Sequence, residues 1–409
     1  MQPTVDCLED SSLNNTHFSS HLHVDRLSVI GIEGLASLDR EIVTHIDDFR
    51  NLEAEWTALG SRSRSACVFM QWEWHYTWWQ IYAGKRDKLH IVTWRRGGEL
   101  VGLLPMYRQA SLIIPGNTCL RFIGTGEKAI DEVATEYGDL LADNRLDSAI
   151  STLAAEYLHQ FDGWVRVELF CMLEDSLLNI ALQAGQHPAL LTRSSGLRYR
   201  LRLPKDEETY LESLGSSRAK RIRRSQRAVL REGGLELTVV DSVAGFDSAF
   251  RELAELNHER QAHMRRKSVF ASTRFRQFHQ QLCARLHATD AADIIRIHLG
   301  SRLLAVLYCF YDGQTCHYYQ SGFSRKDSNR FMPLTLAHLM EMQRSRQAGK
   351  EFYDFMRGEP PTYKEDFNCE TSPMIDVACY RWAWQKAMAV VYRRTRAKAG
   401  KLARVLRQR

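Results

Sequence analysis

Apolar residues recur at three- and four-residue steps from Ile42 onward (Phe49, Leu52, Trp56, Leu59), which predicts a helix with one buried face. Phe69–Trp79 (FMQWEWHYTWW) predicts a second helix, its aromatic face set against a sheet. The period then changes. Leu89–Trp94, a turn at Arg95–Gly98 and Leu100–Tyr107 have the pattern of a strand hairpin. The same device returns about 205 residues later as Ile294–Leu299, a turn at Gly300–Arg302 and Leu303–Tyr311. The helical stretches preceding the two hairpins, near Phe69 and Phe275, share nearly that offset. Two copies of one α/β unit explain pattern and length together, each a mixed, mostly antiparallel sheet flanked by helices. The expected segments are a mobile leader at 1–40, a first unit at 41–195, a second at 196–380 and a basic helix at 381–409.

Within the second copy, Cys316–Phe323 is aromatic and β-prone, and a polar, basic loop ending in Arg330 follows it. Pro333 suits a first helical turn, where its missing N–H would have no partner. Leu334, Leu336, Leu339 and Met340 give that helix an apolar face, Gly349 closes it, and Phe352–Phe355 begins another strand. A strand feeding an open helix N-terminus is an anion site, because unpaired N–H groups and the helix dipole point the same way. Arg325, Lys326 and Arg330, with Pro333 and Leu334 at the helix start, are therefore the candidate residues for a pyrophosphate-bearing cofactor.

The ordered pieces Tyr319-Gln-Ser-Gly-Phe323, Arg330-Phe-Met-Pro333, Tyr353-Asp-Phe-Met-Arg-Gly358 and Tyr363-Lys364 resemble the acyltransferase domain of the CelD/BcsL type. That family belongs to the GNAT superfamily, is associated with bacterial cellulose and other exopolysaccharide synthesis, and is related to the Fem peptidyltransferases. Met332 and Leu334 depart from its pattern by replacing small residues around Pro333, Ser324 stands where an Asp is common, and Glu359–Thr362 is one residue longer than the usual spacer. The resemblance implies an α/β (α+β) fold of tandem duplicated GNAT-like units, the first copy degenerate and shaping the acceptor cleft. It implies an N- or O-acyltransferase using acyl-CoA, acetyl-CoA foremost, on a small-molecule or glycan-precursor acceptor of cell-surface polysaccharide synthesis. Two alternatives stay open. One is Fem-like transfer from aminoacyl-tRNA. The other is a non-catalytic accessory protein of a polysaccharide synthase, which the missing glycine at the phosphate loop favours.

In GNAT enzymes the donor lies in a splay between the strands placed here at Cys316–Phe323 and Phe352–Phe355, and backbone N–H groups of the first polarise its carbonyl. Few side chains are then required. Tyr319, Asp354 and Glu359 are candidate general bases, and Lys364 on the exit loop completes the candidate catalytic set. Arg357 lies two residues from Asp354 on the same side of a strand, so an Asp–Arg pair holding the strand end is the competing reading. His317 is either a base at neutral pH or a packed core residue. Arg357 and Tyr363 are expected against the substrate, as are Arg221 and Arg224 of the basic run Ser216–Arg231. That run holds seven cations and no acid, which fits contact with tRNA or a polyphosphate, or a solvated face. Its lack of stacking aromatics argues against sequence-independent RNA binding.

Composition adds limits. With 44% apolar and 25% charged residues this is a globular chain, and no apolar run approaches the roughly 20 residues that span a bilayer. The N-terminus lacks a secretory pattern, so a cytoplasmic protein is expected. The net charge of +6 conceals ten Lys/Arg and no acid within residues 381–409, which leaves residues 1–380 at −4. Trp384, Met388, Val391, Leu402 and Val405 fall near one stripe of this tail, which places the protein at an anionic membrane, at the inner face. Packing of the tail on the body through Trp382 and Trp384 is the alternative. The nine cysteines are scattered without ligand spacing, and His17, His21 and His23 have no Cys or carboxylate at ligand spacing, so no metal is expected. GxSxG, P-loop, Rossmann and HExxH signatures are absent, which leaves hydrolase, kinase and dehydrogenase readings without support.

Overall fold

The structure, a computed structural model, describes residues 23–27, 38–111, 116–240, 242–264, 267–286, 289–391 and 395. The first half supplies strands β1 (His23–Leu27), β2 (Leu38–Val43), β3 (Asp87–Leu89), β4 (Ile91–Arg96), β5 (Glu99–Leu104), β6 (Met106–Ala110), β7 (Thr118–Phe122), β8 (Leu141–Ala142), β9 (Arg166–Leu173) and β10 (Leu190–Arg202). The second supplies β11 (Leu235–Val239), β12 (Ala292–Leu299), β13 (Arg302–Asp312), β14 (Thr315–Phe323), β15 (Phe352–Gly358) and β16 (Glu370–Tyr380). A five-stranded sheet has the order β1-β2-β4-β5-β8, and an eleven-stranded sheet the order β11-β12-β13-β14-β15-β10-β16-β9-β7-β6-β3. Pro105 separates β5 from β6, where the chain passes from one sheet to the other; with no N–H to donate, it suits a break in a ladder.

The repeat is visible in the pairing. β7 runs parallel to β9 for three residue pairs, Cys119–Arg121 against Arg166–Glu168. β14 runs parallel to β15 for three pairs, Thr315–His317 against Phe352–Asp354. In each half a helix makes the crossover, Asp147–Gln160 in the first and Pro333–Gln347 in the second. The mixed α/β fold is thus a duplicated one. The hairpins, the aromatic helix (Trp72–Tyr82) and the basic helix (Ser216–Leu230) lie where alternation and charge place them.

The halves exchange their last strands. β10, which ends the first half, pairs with β15, and β16, which ends the second, pairs with β9. β10 and β16 also pair with each other over Leu190–Arg200 and Glu370–Cys379. One aromatic core backs this shared sheet: Trp74 of the aromatic helix makes edge contacts with Phe278, Phe310 and Tyr319 of the second half. Residues 383–391 form a helix that touches the body through Ala389 and a bond from Lys386 Nζ to the Pro188 carbonyl. Trp382 and Trp384 stay 43% and 58% exposed, so they do not dock the tail as the packing alternative expected. Leu402, Val405 and the leader histidines His17 and His21 lie outside the described residues.

Candidate active site at the β14–β15 vertex

Beyond His317 and Asp354 the two parallel strands diverge, and the edges that face each other lose their ladder partners. On its other side β15 pairs with β10, but the register slips between Tyr199 and Arg200, leaving Phe355 without a partner. At this bulge Met356 takes φ +62, a left-handed value that a side chain disfavours. Asp354 holds it there, since its Oδ1 accepts the Met356 N–H at 2.7 Å. Gly358 closes the strand where an added Cβ would meet the Tyr199 ring at 2.9 Å.

Asp354 is fully buried, so its charge must be compensated. Arg198 of β10 donates to Oδ2 through Nε at 2.7 Å and Nη2 at 2.6 Å, and the Tyr137 hydroxyl donates to Oδ1 at 3.1 Å. Arg357, expected as the partner, instead lies toward Glu132 and Glu136 of the first half, at 3.6 and 3.7 Å. The bulge changes which side chains share a face, which is why spacing alone chose the wrong arginine. Burial opposes the Asp354 charge, but Arg198 and nearby His317 outweigh it and hold the carboxyl well below the usual range. A carboxylate so held is a poor proton acceptor.

His317, also buried, donates from Nε2 to Asp312 at 2.6 Å, while its Nδ1 lies 3.6 Å from Asp354. Burial disfavours its charge, but Asp312, through charge and hydrogen bond, and Asp354 raise it to about 10. It is an imidazolium at neutral pH, which corrects its reading as a base. Tyr319 is turned to the opposite core, where its hydroxyl donates to the Val133 carbonyl at 2.6 Å and lies 3.1 Å from His279 Nε2.

Lys364 lies against the end of β15. Thr362 and Glu365 form a capping box around the turn Tyr363–Phe367. The turn directs Lys364 Nζ onto the carbonyls of Phe355, Met356 and Arg357 at 2.5, 3.3 and 2.5 Å. Burial lowers its pKa, and Glu136 and Asp354 oppose the drop. Glu136, not among the sequence candidates, enters from the first half and accepts the Arg357 N–H at 2.8 Å. Its own burial raises its pKa although Lys364 and Arg357 pull it down. Its only sequence signal is the acidic stretch before Gly138, which carries no catalytic spacing. Glu359 and Tyr363 are exposed at the rim.

The phosphate-loop candidates sit apart, after β14. Arg325 and Lys326 are exposed, and Arg330 pairs with Glu232 while remaining 64% exposed. Ser324 donates to Asp327 at 2.6 Å, tightening the loop. Pro333 opens its helix, preceded by Met332 at φ +44, and no side chain caps this N-terminus. Leu334 is half-buried beside it. The basic helix packs on this loop, Ser225 donating to the Phe331 carbonyl, and Arg218 reaches Asp366 beside Lys364. Arg221 and Arg224 point to solvent.

Beside the vertex, a cavity of about 370 Å³ lies between the halves, lined among others by Arg64, Tyr137, Ser176, Arg198, Arg200 and His317. Its wall holds three buried polar atoms without hydrogen-bond partners: His317 Nδ1, Arg200 Nε and Ser176 Oγ. Unpaired buried donors of this kind call for a polar ligand or water.

Residues 216–365, from the basic helix to the Lys364 turn, match the family model described as an acetyltransferase (GNAT) domain. No curated protein gives a significant match. Among solved structures, FemX superposes with a TM-score of 0.57 at 13% identity, covering 79% of this chain and 95% of that one. The C-terminal domain of a putative lysylphosphatidylglycerol synthetase from Agrobacterium fabrum gives 0.49 at 11% identity, covering 84% and 95%. A tandem GNAT protein from the clavulanic acid biosynthesis pathway gives 0.42 at 12% identity, covering 84% and 99%. The likeness to FemX is one of fold, and the match of residues 216–365 to the acetyltransferase (GNAT) domain model covers the candidate site from the basic helix to the Lys364 turn.

Proposed function

We propose that this protein transfers an acyl group, from acyl-CoA and foremost acetyl-CoA, to an amine or hydroxyl on a precursor of a cell-surface polysaccharide. The carrying observation is the β14–β15 vertex: two parallel strands that part after three pairs, with a lysine ammonium on the carbonyls that close the opening. The thioester carbonyl would lie along the unpaired edge of β14, whose N–H groups take the developing oxyanion. The acceptor would approach from the cavity between the halves. Attack forms the new C–N or C–O bond, the C–S bond breaks, and the acceptor's proton ends on the departing thiolate. Glu136, the carboxylate at the vertex whose burial raises its pKa, is suited to relay that proton.

Calorimetry with CoA on the full chain tests the donor. Arg330→Ala together with Lys326→Ala should weaken binding by roughly 1–2 kcal/mol, modest because both are exposed and Arg330 is already paired. Unchanged affinity would remove the loop as the phosphate site. A second donor is favoured by one observation, the packing of the basic helix on that loop. Retention of aminoacyl-tRNA on filters without any heat from CoA would make tRNA the donor carrier. Turnover with neither donor would leave the accessory reading.

The same proposal puts the protein at the inner face of a membrane. Trp382, Trp384, Met388 and Val391 are all exposed, beside Arg381 and Lys386. Each cation near anionic lipid is worth about 1 kcal/mol, so the full chain should pellet with anionic vesicles at low salt and be released at high salt. Equal pelleting of a chain lacking residues 381–409 would remove the tail as the anchor.

A further inference from the structure

Far from the vertex, three metal-ligating groups meet where β16 inserts between β10 and β9. His159 stands in the last turn of the crossover helix Asp147–Gln160, His187 in the turn before β10, and Cys379 near the end of β16. One ligand atom from each lies within 4.8 Å of the other two. Cys379 Sγ is 3.3 Å from His187 Nδ1, and the two imidazoles stack with centroids 4.6 Å apart. A tetrahedral zinc ion, with bonds of about 2.0–2.3 Å, sets its ligand atoms about 3.5 Å apart. Small side-chain rotations would bring the three to that spacing.

The chemistry of the cluster agrees. His159 Nε2 is buried and has no hydrogen-bond partner, so this member of the cluster has an unsatisfied ring nitrogen. Neutral imidazole nitrogens and a thiolate are ordinary ligands of zinc. Both histidines are half-exposed, which gives an ion a path in and water a place to bind, while Cys379 is buried. The Ala189 N–H, 3.2 Å from His187 Nδ1, is the contact an ion at that nitrogen would displace.

We propose that His159, His187 and Cys379 bind a zinc-class divalent ion, with water as the fourth ligand. The ion would clamp the exchanged strand β16 to a first-half helix, just before the basic segment begins. Binding would release the Cys379 thiol proton, so affinity should fall as pH falls.

The test uses the full chain, stripped with chelator and titrated with Co²⁺. The expected result is equimolar uptake with the visible bands of tetrahedral cobalt and a thiolate-to-cobalt charge-transfer band, all removed by Zn²⁺. Cys379→Ser should abolish the charge-transfer band. His159→Gln should weaken binding by more than the roughly 10–100-fold that loss of a group behind a ligand costs. X-ray absorption on the zinc-loaded wild type should show one sulfur and two imidazole nitrogens, which keeps the test decisive should a variant fail to fold. A wild-type chain without a thiolate–cobalt band overturns the proposal. So does a band that survives in Cys379→Ser, since another cysteine would then be the ligand.

Discussion

Replacing Asp354 by Asn should lower stability by about 3–5 kcal/mol, the cost of leaving a buried cation without its partner. The change keeps the side chain's size and its place at the bulge, but strands Arg198 and the imidazolium of His317 in a site where Asp354 is 0% exposed. Arg198→Met should cost a comparable amount by the converse argument. Urea unfolding of both variants measures this, and a loss below about 1 kcal/mol would show that the network is not what holds the halves together. The pH dependence follows from the same groups. Asp354 is depressed in the folded state, so its contribution is full above the ordinary carboxylate range and disappears as pH falls below it. His317 is raised to about 10, so its contribution is full below the roughly 6.5 of an unfolded imidazole and is lost as pH climbs through 10. Wild-type stability should therefore decline on both sides, and Asp354→Asn should flatten the alkaline decline, because His317 loses one of its two anions.

Local pattern foretold the elements well. The hairpins, the aromatic helix, the basic helix and the strand–loop–helix–strand run around Pro333 all lie within a few residues of where alternation, Gly and Pro place them. Those signals are short-range, and a chain carries them openly. What alternation could not reveal was pairing over long separations. β10 straddles residues 195 and 196, and the exchange that sets it beside β15 joins Leu197 to Gly358. Asp354 found its partner in Arg198, 156 positions away, rather than in Arg357 two positions on, because a bulge altered which side chains share a face. Glu136 reached the vertex by the same route, from the other half of the chain. His159, His187 and Cys379 carry no recognisable ligand spacing for an equal reason: β16 brings Cys379 back across 192 residues to meet His187. Functional groups that converge from both halves of a duplicated chain leave no compact motif.

Lys364→Met should reduce turnover by about 10²–10³-fold, the range seen when one preorganised charge or donor is taken from a site where charge develops. The argument rests on what the ammonium touches. Three successive carbonyls of β15 converge on Nζ, at the strand end where β14 has already left. Without a cation there, their negative ends would face one another and the incoming thioester, and the β15 edge would splay further or fill with water. Methionine keeps the stem length but abandons those carbonyls, so a stability loss of about 1–3 kcal/mol should accompany the kinetic effect. The two consequences separate experimentally. Thiol release from acetyl-CoA, measured against a panel of amino-sugar acceptors and normalised to folded protein by denaturation, reports the chemistry alone. Lys364→Arg should recover much of the stability through its several N–H donors, yet little of the rate, because a planar guanidinium cannot meet three carbonyls at a single nitrogen. Glu359→Gln, exposed on the neighbouring loop, should leave both rate and stability near wild type. If Lys364→Met turns over at the wild-type rate per folded molecule, the lysine only braces the strand, and Glu136 with the bare backbone of β14 must carry the chemistry.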